Sequence, residues 1–218
     1  MKQIIINENK DEISCLTYIP NYMSNIDSEK IKTTLYSMDD WKEGKRNDGK
    51  NIDRKQKWYH MENKTFCDTW KIKHNRWNSH SYTPLLFKLQ ESVQNDLSNI
   101  LINTSNIKYP NLNSILINYY QDGNQFIPPH KDTKVSFGLD PTIILLSFGA
   151  TRKFKLERTL PDSYEINSKQ KFWNQEFDLE DNSLLIMSGS VQKYFLHSIE
   201  KSDTSLPRYS ITFREHLF

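Results

Sequence analysis

Apolar and polar residues alternate with a period of two along the second half of the chain, while the first half carries the longer period of helices. In the first half, Ile31, Leu35 and Met38 stand at i, i+4 and i+7, which predicts a helix capped by Asp27 or Ser28. Thr83 is a good N-cap, Pro84 suits a first helical turn, and Leu85, Leu89, Val93, Leu97 and Ile100 follow as one apolar stripe. A helix with a single stripe is expected to lie against a sheet. Between the two, Lys42 to Lys57 is polar and charged and contains Gly44 and Gly49, so it reads as an exposed loop. From Asn113 onward the pattern predicts strands at Ser114–Tyr120, Thr142–Phe148, Lys153–Glu157, Gln175–Leu179, Ser183–Met187, Lys193–Ile199 and Arg208–Arg214. Short antiparallel strands preceded by helices predict a mainly β chain with flanking helices, an α+β class. A jelly roll is the natural architecture for them.

Composition narrows this picture little. The 218 residues fit one compact domain with a sizeable core. Apolar residues make up 36%, charged residues 26% and aromatic residues 12%, so long surface loops are expected but wholesale disorder is not. A formal charge of +2 permits a nucleic-acid partner without demanding one. Cys15 and Cys67 are too few for a disulfide framework or a cysteine-rich zinc site, which favours a reducing compartment. The Ile4-Ile5-Ile6 run is too short for a membrane span or a signal-peptide core. The expectation is an intracellular protein of cytoplasm or nucleus, with no membrane contact and no protein partner that can be inferred.

The candidate chemistry begins at His130-Lys131-Asp132. An extended backbone puts i and i+2 on one face, and Pro128 and Pro129 favour that extension. With His197 from a distant strand, two imidazoles and one carboxylate would form a donor set that suits a mononuclear iron with open positions. Alone, a His-x-Asp triplet is more often a surface feature. His60, His74, His80 and His216 are taken as solvated or hydrogen-bonded histidines.

Arg208, Ser210, Thr212 and Arg214 alternate with Tyr209, Ile211 and Phe213. Two arginines turned into a β core are costly without anions, and a dicarboxylate would satisfy them through planar, bidentate pairing. The competing possibility is an edge strand with a wet polar face. Asn118 and Tyr120 likewise share a face and could bond carboxylate oxygens. Upstream, Trp58 to Tyr82 interleaves aromatics (Trp58, Tyr59, Phe66, Trp70, Trp77, Tyr82) with basic residues, a composition that suits a nucleic-acid strand. About half of these aromatics are expected in the core. Tyr59, Phe66 and Trp70 are the candidates for base contact.

Taken in order, Asn118-Tyr119-Tyr120, His130-Lys131-Asp132, His197 and Arg208 to Arg214 resemble the AlkB family of Fe(II)- and 2-oxoglutarate-dependent dioxygenases. Ser147 to Phe154 looks like that family's Ser-Phe-Gly-x-x-Arg-x-Phe strand, which includes Arg152. Ser183 to Met187 resembles the strand leading to the second histidine. Arg54-Lys55-Gln56 and Tyr59 resemble the Arg-Lys-Gln-x-x-Tyr segment of the nucleic-acid-repair branch. The resemblance is strong from Asn113 to Leu217 and thin before it.

It implies a double-stranded β-helix core over 113–218, with an N-terminal helical extension and nucleotide-recognition lid over 1–112. It also implies Fe(II) on His130, Asp132 and His197. The cosubstrate 2-oxoglutarate would sit on Arg208 and Tyr120, with Asn118, Ser210, Thr212 and Arg214 nearby. The implied activity is oxidative demethylation of N-alkylated bases in DNA or RNA, releasing formaldehyde, succinate and carbon dioxide. The alternative is the same machinery acting on a protein, lipid or small molecule. Tyr59, Phe66, Trp70, Lys134 and Arg152 are the expected substrate contacts. Two positions depart from the family pattern. Ser210 stands where asparagine is usual. Lys134 stands where an acid commonly accepts from a base's exocyclic amine. Lysine donates only, which moves that task to Asp140, Glu157 or another acid, or away from methylated adenine and cytosine.

Overall fold

A computed structural model describes residues 1–45, 51–67, 77–101, 107–159 and 174–217. Trp70 and His74 lie outside the described residues. The strands in chain order are β1 (Lys2–Asn7), β2 (Ile13–Ile19), β3 (Lys55–His60), β4 (Ser114–Tyr120), β5 (Ile127–His130), β6 (Ile143–Gly149), β7 (Arg152–Arg158), β8 (Asn174–Leu179), β9 (Ser183–Gly189), β10 (Phe195–Ile199) and β11 (Arg208–Arg214). The helices are α1 (Asn25–Ser37), α2 (Pro84–Ile100) and two single turns, α3 (Lys134–Phe137) and α4 (Val191–Tyr194). Seven strands form one sheet in the order β1-β2-β9-β6-β11-β4-β3, and four form a second in the order β5-β10-β7-β8. Every pairing within these sheets is antiparallel. The architecture is the jelly-roll sandwich that the strand spacing predicts.

Period-two alternation divides the large sheet into two faces. Ile115 and Ile117 of β4, Tyr209, Ile211 and Phe213 of β11, and Ile144 and Leu146 of β6 pack with Leu35 of α1 and Leu89, Val93 and Leu97 of α2. The opposite face carries Leu145, Leu185 and Met187, which meet Phe154, Leu156 and Phe195 of the small sheet. This second face is where polar residues enter, and it holds the site.

The helices form where the pattern predicts, with shifted details. Ser24 caps α1, its side chain accepting from the backbone N–H of Asp27, so Asp27 sits in the first turn and is not the cap. Thr83 caps α2 as expected, but Leu86 is buried where Leu85 was placed.

Four strands escape the pattern. β1 and β2 extend the large sheet from the N-terminus, so the first 112 residues contribute strands as well as helices. β3 corrects the expected exposed loop at its C-terminal end: Gln56 and Lys57 are buried in a strand paired with β4. β5 accommodates Pro128 and Pro129 because it is the edge strand of the small sheet, where missing N–H donors do no harm. The segment predicted as one strand, Lys193–Ile199, is divided. Its first two residues close the turn α4, and β10 begins at Phe195. At Gly189 the chain leaves β9 with φ of +63°, and a Cβ there would lie 2.1 Å from the carbonyl oxygen of Ile13. Only glycine fits that turn, which delivers α4 and Gln192 to the site.

Candidate metal and dicarboxylate site

β5 and β10 are neighbours, and His130 and His197 are register partners across that ladder. Their rings lie 4.1 Å apart between centroids. Asp132 follows the end of β5, its backbone N–H donating to Gln192 Oε1 at 2.9 Å. The Asp132 carboxylate divides its work. Oδ2 accepts from Arg214 Nε at 2.8 Å, while Oδ1 faces His130 Nε2 at 3.8 Å and His197 Nε2 at 3.9 Å. One ligand atom from each of the three residues lies within 4.8 Å of the others, inside the reach of a single metal ion.

The electrostatics suit a cation. Burial by itself would raise the Asp132 carboxyl, but Arg214 and the two histidines outweigh it and hold the group at about 2. Burial, then the neighbouring His130, pushes His197 down to about 3, so its imidazole is neutral and able to ligate. His130 Nδ1 lies 3.0 Å from the Pro128 carbonyl. A proton on Nδ1 would then donate to that carbonyl and leave the Nε2 lone pair facing Asp132.

The second constellation lies on the strand pair β4–β11. Registry puts Arg208 opposite Tyr120, Ser210 opposite Asn118 and Arg214 opposite Ser114. Gln56 of β3 and Ser147 of β6 extend the Asn118–Ser210 row across four strands. Asn118 Oδ1 accepts from Arg54 Nε at 2.9 Å and from Gln56 Nε2 at 3.0 Å, while Asn118 Nδ2 donates to Ser210 Oγ at 3.4 Å.

Arg208 is fully buried at 0% exposure, with its Nε donating to Ser147 Oγ at 3.0 Å and its guanidinium 5.1 Å from the centre of the Tyr120 ring. Both terminal nitrogens of Arg208, one of Arg214 and the Tyr120 hydroxyl lack hydrogen-bond partners among the described residues. Burial, reinforced by Arg152, lowers Arg208 only to about 10, so it stays charged. Two buried guanidiniums and a phenol with donors to spare are costly in themselves and complementary to a dianion such as 2-oxoglutarate. Thr212 completes the polar face of β11 beside Leu116 of β4.

Arg208 lies behind Tyr120, and the three metal-ligating residues, Asn118, Tyr120, Ser210, Thr212 and Arg214 line one cavity of about 230 Å³ between the sheets. Phe66 and Trp77 stand at its wall, stacked with centroids 4.3 Å apart and joined by a hydrogen bond from the Phe66 N–H to the Trp77 carbonyl at 3.0 Å.

Three expected substrate contacts are placed elsewhere. Tyr59 points to the helical side of the large sheet, against His80 and Tyr82, because odd and even positions of β3 face opposite ways. Arg152 is buried and donates to the carbonyls of Asp122, Gly123, Gln125 and Glu200, so it braces two loops. Lys134 is exposed on α3 and does not line the cavity. Conversely, Arg54, Gln56, Trp77 and Gln192 line or brace the site without having been singled out for it. The Arg54-Lys55-Gln56 segment carried a signal for the first two. No local pattern marks Gln192, which reaches Asp132 from 60 residues away.

Comparison with known proteins agrees with this geometry. The family model described as "2OG-Fe(II) oxygenase superfamily" matches residues 15–214. The mouse alpha-ketoglutarate-dependent dioxygenase alkB homolog 3 is 33% identical over 135 residues, covering 61% of this chain and 43% of that protein. The human DNA oxidative demethylase ALKBH2 is 29% identical over 122 residues, covering 56% of this chain and 46% of that one. This chain thus spans less than half the length of these relatives. Among solved structures, OsALKBH1 shares the fold with a TM-score of 0.56 at 12% identity, covering 91% of this chain and 97% of that one. A prolyl hydroxylase from Trichoplax adhaerens does so with a TM-score of 0.57 at 12% identity, covering 92% and 83%. The strand order, the His130–Asp132–His197 cluster and the match across residues 15–214 together make the chain an AlkB-like member of the 2OG-Fe(II) oxygenase superfamily, whose metal is Fe(II) and whose cosubstrate is 2-oxoglutarate.

Proposed function

We propose that this protein oxidatively demethylates N-methylated bases of DNA or RNA. The observation that carries the proposal is a single cavity lined by three metal-ligating side chains together with Asn118, Tyr120, Ser210 and Arg214, with the buried Arg208 guanidinium against Tyr120 and without an ion pair among the described residues. The sequence relatives include proteins named as DNA oxidative demethylases, which supports a nucleic-acid substrate.

His130, Asp132 and His197 would hold Fe(II), and three protein ligands leave positions open for 2-oxoglutarate and oxygen. When bound, the ferrous ion supplies oxygen activation coupled to loss of carbon dioxide from 2-oxoglutarate. Arg208 and Tyr120 would orient the far carboxylate of the cosubstrate, Arg208 with two free donors in one plane. Arg214 pins Asp132 through Oδ2, so that Oδ1 stays turned to the metal position. Gln192 fixes the backbone of Asp132 from the other side. Phe66 and Trp77 offer an apolar wall against which a base taken out of its stack could rest while water is excluded. Overall, one oxygen atom enters succinate and the other enters the methyl C–H bond. The hydroxymethyl group then leaves as formaldehyde.

Incubation with Fe(II), 2-oxoglutarate and a panel of oligonucleotides, each bearing one N-methylated base, should release formaldehyde and restore the base, read by mass spectrometry. Turnover of 2-oxoglutarate to succinate without demethylation of any base in the panel would overturn the nucleobase assignment. It would favour a protein or small-molecule substrate instead. Among the described residues, no helix is long and apolar enough to cross a membrane.

A further inference from the structure

The segment His130-Lys131-Asp132 carries two of the three metal ligands, and two consecutive residues of the single turn α4 hold it. Gln192 Oε1 accepts from the Asp132 backbone N–H at 2.9 Å, and the Lys193 carbonyl accepts from Lys131 Nζ. Gln192 is buried, which fixes its side chain beside Asp132. A turn of 4 residues does not hold its own shape, because nucleating one turn fixes about six dihedrals for one hydrogen bond. Whatever fixes α4 comes from its neighbours.

Most of it comes from the N-terminal hairpin, β1–β2. Asn9 closes the hairpin turn: its Oδ1 accepts from the N–H groups of Asp11 at 2.9 Å and Glu12 at 3.0 Å, and its Nδ2 donates to Glu12 Oε2 at 2.7 Å. The Glu12 carboxylate, oriented in this way, accepts from Lys193 Nζ and from the Tyr194 hydroxyl. One residue on, the Ile13 carbonyl accepts from the Ser190 N–H at 2.8 Å. Past the end of β7, the Thr159 N–H donates to the Tyr194 carbonyl at 2.8 Å. The hairpin thus grips the turn at its entry and its exit, and Gln192 lies between.

Resting on the placement of Fe(II) at His130, Asp132 and His197, we propose that Glu12 and Gln192 are positioning residues for the metal. The hairpin fixes α4, and α4 fixes the backbone of Asp132 so that Oδ1 faces the two histidines. Glu12 acts through Lys193 and Tyr194, from 181 and 182 residues away in the chain. Loss of groups that orient metal ligands costs about 10- to 100-fold in metal affinity.

Mn(II), a divalent cation for nitrogen and oxygen donors, reports the site without turnover, its free ion being counted by electron paramagnetic resonance. His130→Ala should abolish one-site Mn(II) binding. Gln192→Met keeps the bulk and removes the acceptor, and should raise the Mn(II) Kd at least about tenfold. Glu12→Ala should raise it about three- to tenfold. Its side chain is 26% exposed, so its loss leaves the core packed. The double variant should be weaker than Gln192→Met by less than the Glu12→Ala factor, since both act on Asp132. Val93→Ala, in the core on the helical face of the large sheet, should lower the melting temperature and leave the Mn(II) Kd unchanged. A wild-type Kd in Gln192→Met or Glu12→Ala, full multiplication in the double variant, or an equal loss of affinity in Val93→Ala overturns the relay and leaves the metal assignment standing. A His130→Ala protein that binds Mn(II) as tightly as wild type removes both.

Discussion

Replacement of Arg208 by methionine should move ligand affinity and protein stability in opposite directions. Arg208 is fully buried, and its two terminal nitrogens have no hydrogen-bond partner among the described residues. Loss of a desolvated charge partner costs about 2–5 kcal/mol of binding. At about 1.4 kcal/mol per decade, the Kd for 2-oxoglutarate should rise roughly 30- to 5,000-fold.

Without ligand the sign reverses. An uncompensated buried charge costs about 3–5 kcal/mol. Against its removal stand the hydrogen bond to Ser147 and the contact with the Tyr120 ring, each worth about 1 kcal/mol. The ligand-free variant should therefore be more stable by about 1–3 kcal/mol, a melting temperature several degrees higher. Calorimetric titration with 2-oxoglutarate and thermal denaturation with and without it test both halves. At a ligand concentration of about 100 times the wild-type Kd the wild type should gain about 2.7 kcal/mol, and the variant should gain under about 0.9 kcal/mol. An unchanged Kd, or a ligand-free variant that melts lower than wild type, would show that Arg208 is a structural residue and refute the dicarboxylate assignment.

Other expectations follow from the same contacts. Asp132→Ala removes a ligand and frees Arg214, so the purified protein should retain under a tenth of wild-type iron by elemental analysis (about 2 kcal/mol or more); normal iron content would place the metal elsewhere. His60 accepts a hydrogen bond from the Glu62 N–H and is held at about 4 by burial, then by His216 and Lys64. Because the unfolded chain takes up this proton near 6.5, stability is complete above that pH and is lost as pH falls toward 4. Between pH 7 and 5 the wild type should lose about 2 kcal/mol more than His60→Gln in urea unfolding, and parallel losses would show that His60 titrates normally. Glu8 and Arg158 form a buried ion pair that ties the end of β1 to β7. Glu8→Gln should destabilise the protein by about 3 kcal/mol in the same assay, whereas a change under about 0.5 kcal/mol would mean that the N-terminal strand is held by its ladder alone.

What the sequence by itself determined is local or ordered along the chain. The polar and apolar faces of β4 and β11 follow from strict alternation, because a strand admits only two faces. The cap at Thr83 follows from one side chain beside Pro84. His130, Asp132 and Arg208 were legible because neighbours in sequence share a strand or its extended end. The tertiary structure decided what depends on partners.

β3 was hidden because Lys55-Gln56-Lys57 looks like solvent-facing chain, and it is a strand only because β4 supplies its hydrogen bonds. Tyr59 and Trp77, two aromatics of one segment, fall on opposite sides of the large sheet, and composition carries no information about side. Gln192 braces Asp132, and Arg54 reaches Asn118, across more than 50 residues of chain. The lining of the cavity is likewise a property of the folded chain, since 27 acidic residues occur in the sequence and only the packing of two sheets determines that Asp132 is the one acid among the described residues that line it. Periodicity records which way a residue faces along its own element, whereas a site is built from contacts between elements, and those exist only once the sheets have packed.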